Sequence, residues 1–169
     1  TLKLGAADVP LHAPRWWKVF FDADPSAIDA STWGEVPQRL RRVGGGSADP
    51  RYLWSDDGRL DFARVLGSFR EQRPVVGFAV IHSDTAVELP VAAKADWWMA
   101  WYVNGEEVYS TLRTGNRHGT LADHTFTMPL KAGRNVVAFQ CLSGSAGWSI
   151  TLGGPRERAL AVSAGVPSD

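Results

Sequence analysis

From residue 74 onward, short apolar segments alternate with residues that form turns. The apolar segments span 74–82, 85–91, 96–103, 107–111, 124–130, 135–142 and 148–152. They are rich in β-branched and aromatic residues, which favour strands, and several of them alternate apolar with polar positions. Gly, Asn, Pro and Ser stand between the segments, as turns require. Because no helical pattern separates the segments, they predict an all-β sandwich or barrel.

The flanking regions carry a weaker pattern. Residues 16–21 predict one strand, followed by a turn at 22–25. Residues 26–43 predict a loop with a short helical turn, and the run from Gly44 to Pro50 predicts a flexible loop. Residues 59–70 fit a short helix, although strand alternation fits part of the same segment. The residue pattern of the tail at 153–169 fits either a helix or disorder.

Length and composition narrow the class of protein. The chain has 169 residues, which suits a single domain over 1–169. Its 44% hydrophobic and 21% charged residues argue for a folded globule. Lys plus Arg and Asp plus Glu both number 18, so no net basic charge favours nucleic acid or an anionic membrane. Cys141 is the single cysteine, which excludes an intrachain disulfide, and its apolar strand predicts that it is buried.

Two motifs in the second half carry a family resemblance. The aromatic-rich segment 96–103 ends in Tyr-Val-Asn-Gly at 102–105, where Asn-Gly predicts a tight hairpin. Residues 129–138 read Pro-Leu-Lys-Ala-Gly-Arg-Asn-Val-Val-Ala, and a closing Gly-Trp-Ser-Ile stands at 147–150. Over residues 75–152 the chain resembles galactose-binding-like jelly rolls, such as the sugar-binding domains of family 2 glycoside hydrolases and many carbohydrate-binding modules.

The resemblance implies a fold and a function. The expected fold is a jelly-roll β-sandwich of two antiparallel sheets with a loop-rich N-terminal part. The expected function is non-catalytic binding of a polysaccharide or oligosaccharide, as a module of a bacterial glycan-degrading system that is extracellular or periplasmic. Other domains of a larger parent protein are expected neighbours, whereas nucleic acid and membrane are not. The alternative is a structural accessory domain that packs against a catalytic domain or an oligomer partner without binding a ligand.

Strand alternation divides the aromatic residues of segment 96–103 into two sets. We expect the Trp97, Met99, Trp101 and Val103 side chains to face the core. Trp98 and Tyr102 would then form a platform on which a sugar ring stacks. The alternative is that this strand is central in its sheet and covered on both faces.

A polar loop at 113–119 supplies candidate hydrogen-bonding groups. Its side chains suit hydroxyls, a uronate carboxylate or a sulfate, and the candidates are Arg113, Asn116, Arg117 and His118. Trp148 either lines the same surface or caps the core. The alternative for the loop is a solvated connection without a ligand.

Metal and catalytic motifs are weaker in this sequence. Asp22 and Asp24 are candidate ligands for a structural calcium ion, and Asp56 and Asp57 are further candidates. Aspartates in turns, however, more often cap the local backbone. No other cofactor is expected. The histidines and neighbouring aspartates, His82, Asp84, His118, Asp123 and His124, form no known metal or nucleophile motif. We therefore expect no enzyme, and a hydrolase or lyase would require His118 and His124 to share one pocket.

Overall fold

The computed structural model describes residues 14–116, 121–153 and 162–165. Within these ranges the chain forms thirteen strands and two short α-helices. The strands are β1 Trp16–Phe21, β2 Leu40–Arg41, β3 Ser47–Ala48, β4 Pro50–Trp54, β5 Arg59–Asp61, β6 Pro74–Ser83, β7 Val87–Ala95, β8 Trp97–Val103, β9 Glu106–Ser110, β10 Thr125–Leu130, β11 Gly133–Ser143, β12 Ser149–Gly153 and β13 Val162–Gly165. The α-helices are α1 Ala30–Trp33 and α2 Phe62–Leu66, and 3₁₀ turns occur at Pro25–Ala27 and Leu121–Asp123. No helix in these ranges has the length and apolar character needed to cross a bilayer.

The strands form two packed antiparallel sheets and a small separate hairpin. The larger sheet has the order β4-β1-β6-β11-β8-β9, and β13 pairs with the second half of β6. The smaller sheet has the order β10-β7-β12-β5, and β2 pairs with β3 alone. From β6 to β8 and from β10 to β12, successive strands cross from one sheet to the other, as in a jelly roll. The predicted jelly-roll β-sandwich is confirmed.

The main core lies between the two sheets and is dominated by aromatic rings. The Phe139 ring lies 5.2 Å from the Trp17 ring and 5.5 Å from the Trp101 ring, both in tilted contacts. Phe62, from α2, packs 5.6 Å from Trp148 at the edge of this cluster. Large rings remove much apolar area from water, so these contacts contribute strongly to the stability of the sandwich.

A second apolar cluster covers the outer face of the larger sheet. Chain segment 22–48 wraps over this face and buries Phe78 and Tyr102. Trp33 of α1 stacks almost parallel on Tyr102, with 4.0 Å between ring centroids and 8° between their planes. Strands β6, β8 and β11 are consequently buried on both faces, which explains their long apolar runs.

Two asparagines join the motifs that carried the family resemblance. Asn104 has a φ of 48° in the β8–β9 hairpin, and its Oδ1 accepts from the Val136 backbone N–H at 2.9 Å. Its Nδ2 donates to Asn135 Oδ1 at 2.9 Å, and Asn135 also bonds both backbone groups of Lys131. At Gly105, with a φ of 91°, a Cβ would approach the Ala30 carbonyl oxygen to 2.7 Å. The two turns therefore form one hydrogen-bonded unit.

Most of the predicted strands are present, with differences at the N-terminal part and the tail. The strand at 16–21, the strands of the second half and the Asn104-Gly105 hairpin are confirmed. The Gly44–Pro50 segment was expected to be a flexible loop, but it contains the turn of the β2–β3 hairpin and the start of β4. Residues 59–70 combine both alternatives, because β5 leads directly into α2. The described part of the tail, 162–165, is a strand and not a helix.

Candidate functional site

A pocket of about 280 Å³ opens where β8 begins and the β11–β12 loop passes. We name it the aromatic pocket, and its lining is Glu71, Ala95, Asp96, Trp97, Trp98 and residues 144–146. Trp97 is 43% exposed, and Trp98 is half-buried. The two indoles meet edge to face, with 6.4 Å between centroids and 88° between planes. The pocket therefore presents a wide apolar surface to solvent beside polar groups.

Two glycines allow the backbone to pack tightly against Trp97. Gly115 has a φ of 65°, and a Cβ on it would lie 2.2 Å from Trp97 Nε1. A Cβ on Gly144 would lie 2.9 Å from Trp97 Cβ. The Asn116 backbone N–H also donates to the Trp97 carbonyl oxygen at 2.9 Å. These contacts hold the exposed indole in one place, as a preformed binding surface requires.

The charged groups of the aromatic pocket are both carboxylates. Asp96 Oδ2 accepts from Ser149 Oγ at 2.7 Å, which orients the side chain. Gly147 leaves room for this carboxylate, because a Cβ there would lie 2.7 Å from Oδ2. Glu71 is exposed at the rim. Ionised carboxylates only accept hydrogen bonds, so this pocket suits a ligand rich in hydroxyl or ammonium donors.

The structure separates the two residues of the predicted platform. Trp98 lines the aromatic pocket, but Tyr102 is buried beneath Trp33 and accepts a 2.8 Å hydrogen bond from Gln140 Nε2. Burial raises the pKa of the Tyr102 hydroxyl above its ordinary value. The expectation that Tyr102 meets a sugar is wrong, because β8 is a central strand covered on both faces. Trp97, expected in the core, is exposed because it stands at the end of the sandwich.

The predicted polar loop is only partly described. Arg113 is exposed. Asn116 is buried, and its Nδ2 donates to the Ala95 carbonyl oxygen, so this side chain anchors the loop and is not available to a ligand. Arg117 and His118 lie outside the described residues.

Trp148 caps the core and does not line a surface. It is 1% exposed, and its ring packs 5.6 Å from Phe21 and 5.6 Å from Phe62. Its Nε1 is buried without a hydrogen-bond partner in the described part of the chain. The structure therefore places Trp148 in the core. Trp148 is no longer a candidate binding residue.

The candidate calcium ligands have other partners. Asp22 receives hydrogen bonds from Arg73 Nε at 2.7 Å and Arg73 Nη2 at 2.9 Å, which lower the pKa of its carboxyl. Asp24 caps the 3₁₀ turn at Pro25–Ala27 by accepting from the Ser26 N–H and hydroxyl. Among the described residues, no three His, Cys, Asp or Glu side chains are grouped as a metal site would need. The expectation that Asp22 and Asp24 hold calcium is not supported by this geometry.

The described histidines lie near different sheets and do not share a site. His82 is exposed on β6 of the larger sheet, whereas His124 is buried before β10 of the smaller sheet. His124 Nδ1 lies 2.7 Å from the Tyr109 hydroxyl. Cys141 is buried as predicted, and burial raises the pKa of its thiol. This arrangement brings none of these groups into the aromatic pocket.

Sequence reasoning missed three residues of the aromatic pocket, namely Glu71, Asp96 and the exposed Trp97. The nearest signal was glycine placement. Gly115 and Gly144 are far apart in sequence, and both are required where the backbone passes Trp97. Their shared role becomes apparent only when the sheets bring the two loops together.

Comparisons with known proteins identify the fold and not a family. No known protein-family model matches this sequence, and a search of curated proteins gave no significant match. A crystal structure of beta-glucosidase from Kluyveromyces marxianus matches 81% of this chain at a TM-score of 0.53 and 11% identity. The GH31 alpha-xylosidase from Xanthomonas citri matches 90% of it at a TM-score of 0.47 and 14% identity. This chain corresponds to 16% of the first protein and 15% of the second. The class is an all-β sandwich domain.

Proposed function

We propose that this chain is a non-catalytic, carbohydrate-binding accessory domain and that a sugar ring stacks in the aromatic pocket. The observation that carries the proposal is the exposed Trp97 indole, held by two glycine loops beside Trp98 and two carboxylates. Indole rings pack against the apolar C–H face of a pyranose, while its hydroxyl groups stay free for hydrogen bonds. A volume of about 280 Å³ suits a small saccharide unit.

In this mode of binding each group has a separate task. Trp97 and Trp98 supply contact area, and Asp96 and Glu71 accept hydrogen bonds from sugar hydroxyls. No bond of the ligand is made or broken. The match to the beta-glucosidase supports the proposed role as an accessory domain, because the matching part is one section of a longer enzyme chain that acts on a carbohydrate.

Affinity electrophoresis against a panel of soluble neutral and acidic polysaccharides tests the proposal. We expect at least one polysaccharide to retard the protein, and we expect Trp97→Ala to abolish the retardation because it removes the stacking surface. Trp54→Ala is the matched control, since Trp54 is 45% exposed and lies outside the aromatic pocket. Near-UV circular dichroism checks that both variants fold.

Two results would contradict the carbohydrate-binding proposal. One is a folded wild-type protein that no polysaccharide retards, and the other is equal loss of retardation in Trp97→Ala and Trp54→Ala. Running each gel with calcium and with chelator shows whether a metal contributes.

The second candidate function is a structural accessory domain, and exposed apolar residues at one edge of the sandwich favour it. Tyr52 and Trp54 are exposed on β4, the edge strand of the larger sheet, and Val65 is exposed on α2 nearby. Such patches often mark a surface that packs against another domain. This candidate replaces the first if the folded protein binds no polysaccharide.

A further inference from the structure

A second pocket, of about 390 Å³, is rich in arginine. We name it the arginine pocket, and its lining is Asp22, Arg42, Val43, Arg70, Gln72, Arg73 and Pro74. Three guanidinium groups face one carboxylate, so positive charge is in excess. The chain as a whole has no net charge, which makes this local excess a feature of the fold and not of the composition.

Arg73 is the fixed member of the arginine pocket. Its guanidinium forms a bidentate pair with Asp22 and lies 5.0 Å over the Trp148 ring. The bidentate pair uses two of the donor N–H groups, and the guanidinium has five. In the described part of the chain, no acidic side chain other than Asp22 pairs with this guanidinium.

Arg42 and Arg70 supply the excess charge. Arg42 Nη2 lies 3.7 Å from Asp22 Oδ2, at the limit of an ion pair, and the Arg42 side chain is 56% exposed. Arg70 is exposed, and its guanidinium has no hydrogen bond or ion pair to the described residues. Both nevertheless act on Asp22, because their charges lower the pKa of its carboxyl. Among the described residues, Asp22 is the only carboxylate within ion-pair distance of Arg42, and none lies within that distance of Arg70.

The backbone beneath the arginine pocket is held in place by Ser143 of β11. Ser143 Oγ accepts from the Arg73 N–H at 2.8 Å and donates to the Arg70 carbonyl oxygen. The Gln72 N–H donates to the Ser143 carbonyl oxygen at 2.8 Å, and the Ser143 N–H donates to the Arg73 carbonyl oxygen at 3.1 Å. Segment 70–73 is therefore positioned before any ligand arrives, which lowers the entropic cost of binding.

We propose that the arginine pocket binds the oxyanion of an acidic glycan, either a uronate carboxylate or a sulfate ester. Arginine forks match the geometry of both groups in a bidentate manner, and these charge-assisted bonds are stronger than neutral ones. An inorganic or nucleotide phosphate would satisfy the same donors, but the neighbouring pocket favours a saccharide.

The two pockets are lined by neighbouring residues of one chain segment. Glu71 lines the aromatic pocket, whereas Arg70, Gln72 and Arg73 line the arginine pocket. Because Glu71 and Asp96 repel an anion, the uncharged ring occupies the aromatic pocket and the anionic group lies across segment 70–73. This placement rests on the proposed carbohydrate-binding function and adds to it the charge of the glycan.

Matched pairs of polysaccharides test the proposal by affinity electrophoresis and titration calorimetry at low salt. Polygalacturonate is compared with its methyl ester, and a sulfated galactan with its desulfated form. We expect one charged form to bind at least about tenfold more tightly than its uncharged counterpart. The Arg42→Gln/Arg70→Gln double variant should lose this preference for the charged form. The control is Arg41→Gln/Arg134→Gln, which changes the net charge equally at exposed positions outside the pocket. It should keep the preference.

Three outcomes would overturn the oxyanion site. They are equal affinity for the charged and uncharged members of both pairs, equal loss of the preference in the two double variants, and no binding of any charged polysaccharide. A phosphate titration that gives tighter binding than every acidic glycan would reassign the pocket to free phosphate. Failure of the carbohydrate-binding proposal is detected separately, by the Trp97→Ala result with whichever polysaccharide binds.

Discussion

At the scale of single residues, the partner of a side chain decides its role. The carboxylate of Asp22 and its spacing from Asp24 fit a calcium ligand. In the fold, however, Asp22 accepts two hydrogen bonds from Arg73. It also adopts a φ of 62°, a conformation that Asp and Asn tolerate better than most residues. Asp22 therefore joins the β1 end to segment 70–73 and shapes one wall of the arginine pocket.

We expect Asp22→Asn to lower the free energy of unfolding at pH 7 by about 1.5–3 kcal/mol, the typical contribution of a hydrogen bond to a charged group. Asparagine keeps the tolerance for positive φ, so the change isolates the charge. The fold lowers the pKa of Asp22 from its ordinary 3.8, and this stabilisation is present above pH 3.8 and lost as the pH falls below it. Urea denaturation from pH 7 to pH 3 should show a smaller loss of stability in the variant.

The control for this prediction is Asp84→Asn, a change at an exposed aspartate. Asp84→Asn should leave both the stability at pH 7 and the acid dependence close to wild type. Equal behaviour of the two variants would show that the Arg73 pair contributes nothing measurable.

At the scale of elements, turns are joined to each other by side chains. The β8–β9 hairpin and the turn before β11 share the hydrogen bonds of Asn104 and Asn135. Asn135 is fully buried, so each of its bonds replaces one that water would otherwise make. The motifs behind the family resemblance thus have a local structural cause, which is independent of any ligand.

We expect Asn135→Ala to lower the free energy of unfolding by at least about 2 kcal/mol, because it removes the hydrogen bonds that this fully buried amide makes to the Lys131 backbone and to Asn104. Asn104→Gly removes the other side chain and keeps the positive φ. In a double-mutant cycle measured by urea denaturation, the two changes should be coupled by about 0.5–3 kcal/mol. Additive effects would mean that the two turns are stabilised separately.

At the scale of the whole molecule, the loop-rich N-terminal part is integral to the sandwich. Strand β1 lies between β4 and β6 in the larger sheet, and segment 22–48 covers the outer face of that sheet. The region of family resemblance, 75–152, lacks both. Without them, the large apolar face that includes Phe78 and Val76 would be exposed to water.

We therefore expect a fragment of residues 74–169 to lack a cooperative unfolding transition, while the full chain unfolds cooperatively. Thermal and urea denaturation followed by near-UV circular dichroism provide the measurement. A cooperative transition in the 74–169 fragment would show that the jelly roll does not depend on β1.

The sequence by itself determined the fold class and most strands, because alternation and turn chemistry are local properties. It also indicated that Cys141 is buried, which the structure confirms. It did not reveal β2, β3 and β4, whose two to five residues are too short for a periodic signal.

The tertiary structure decided which aromatic and charged side chains face solvent. Tyr102 and Trp97 lie on the same strand. Trp33 covers and buries Tyr102, whereas Trp97 stands at the end of the sandwich and is exposed. The arginine pocket likewise joins Asp22, Arg42 and Arg73 from distant parts of the chain. Exposure and convergence depend on contacts between segments far apart in sequence, and no local pattern of residues encodes those contacts.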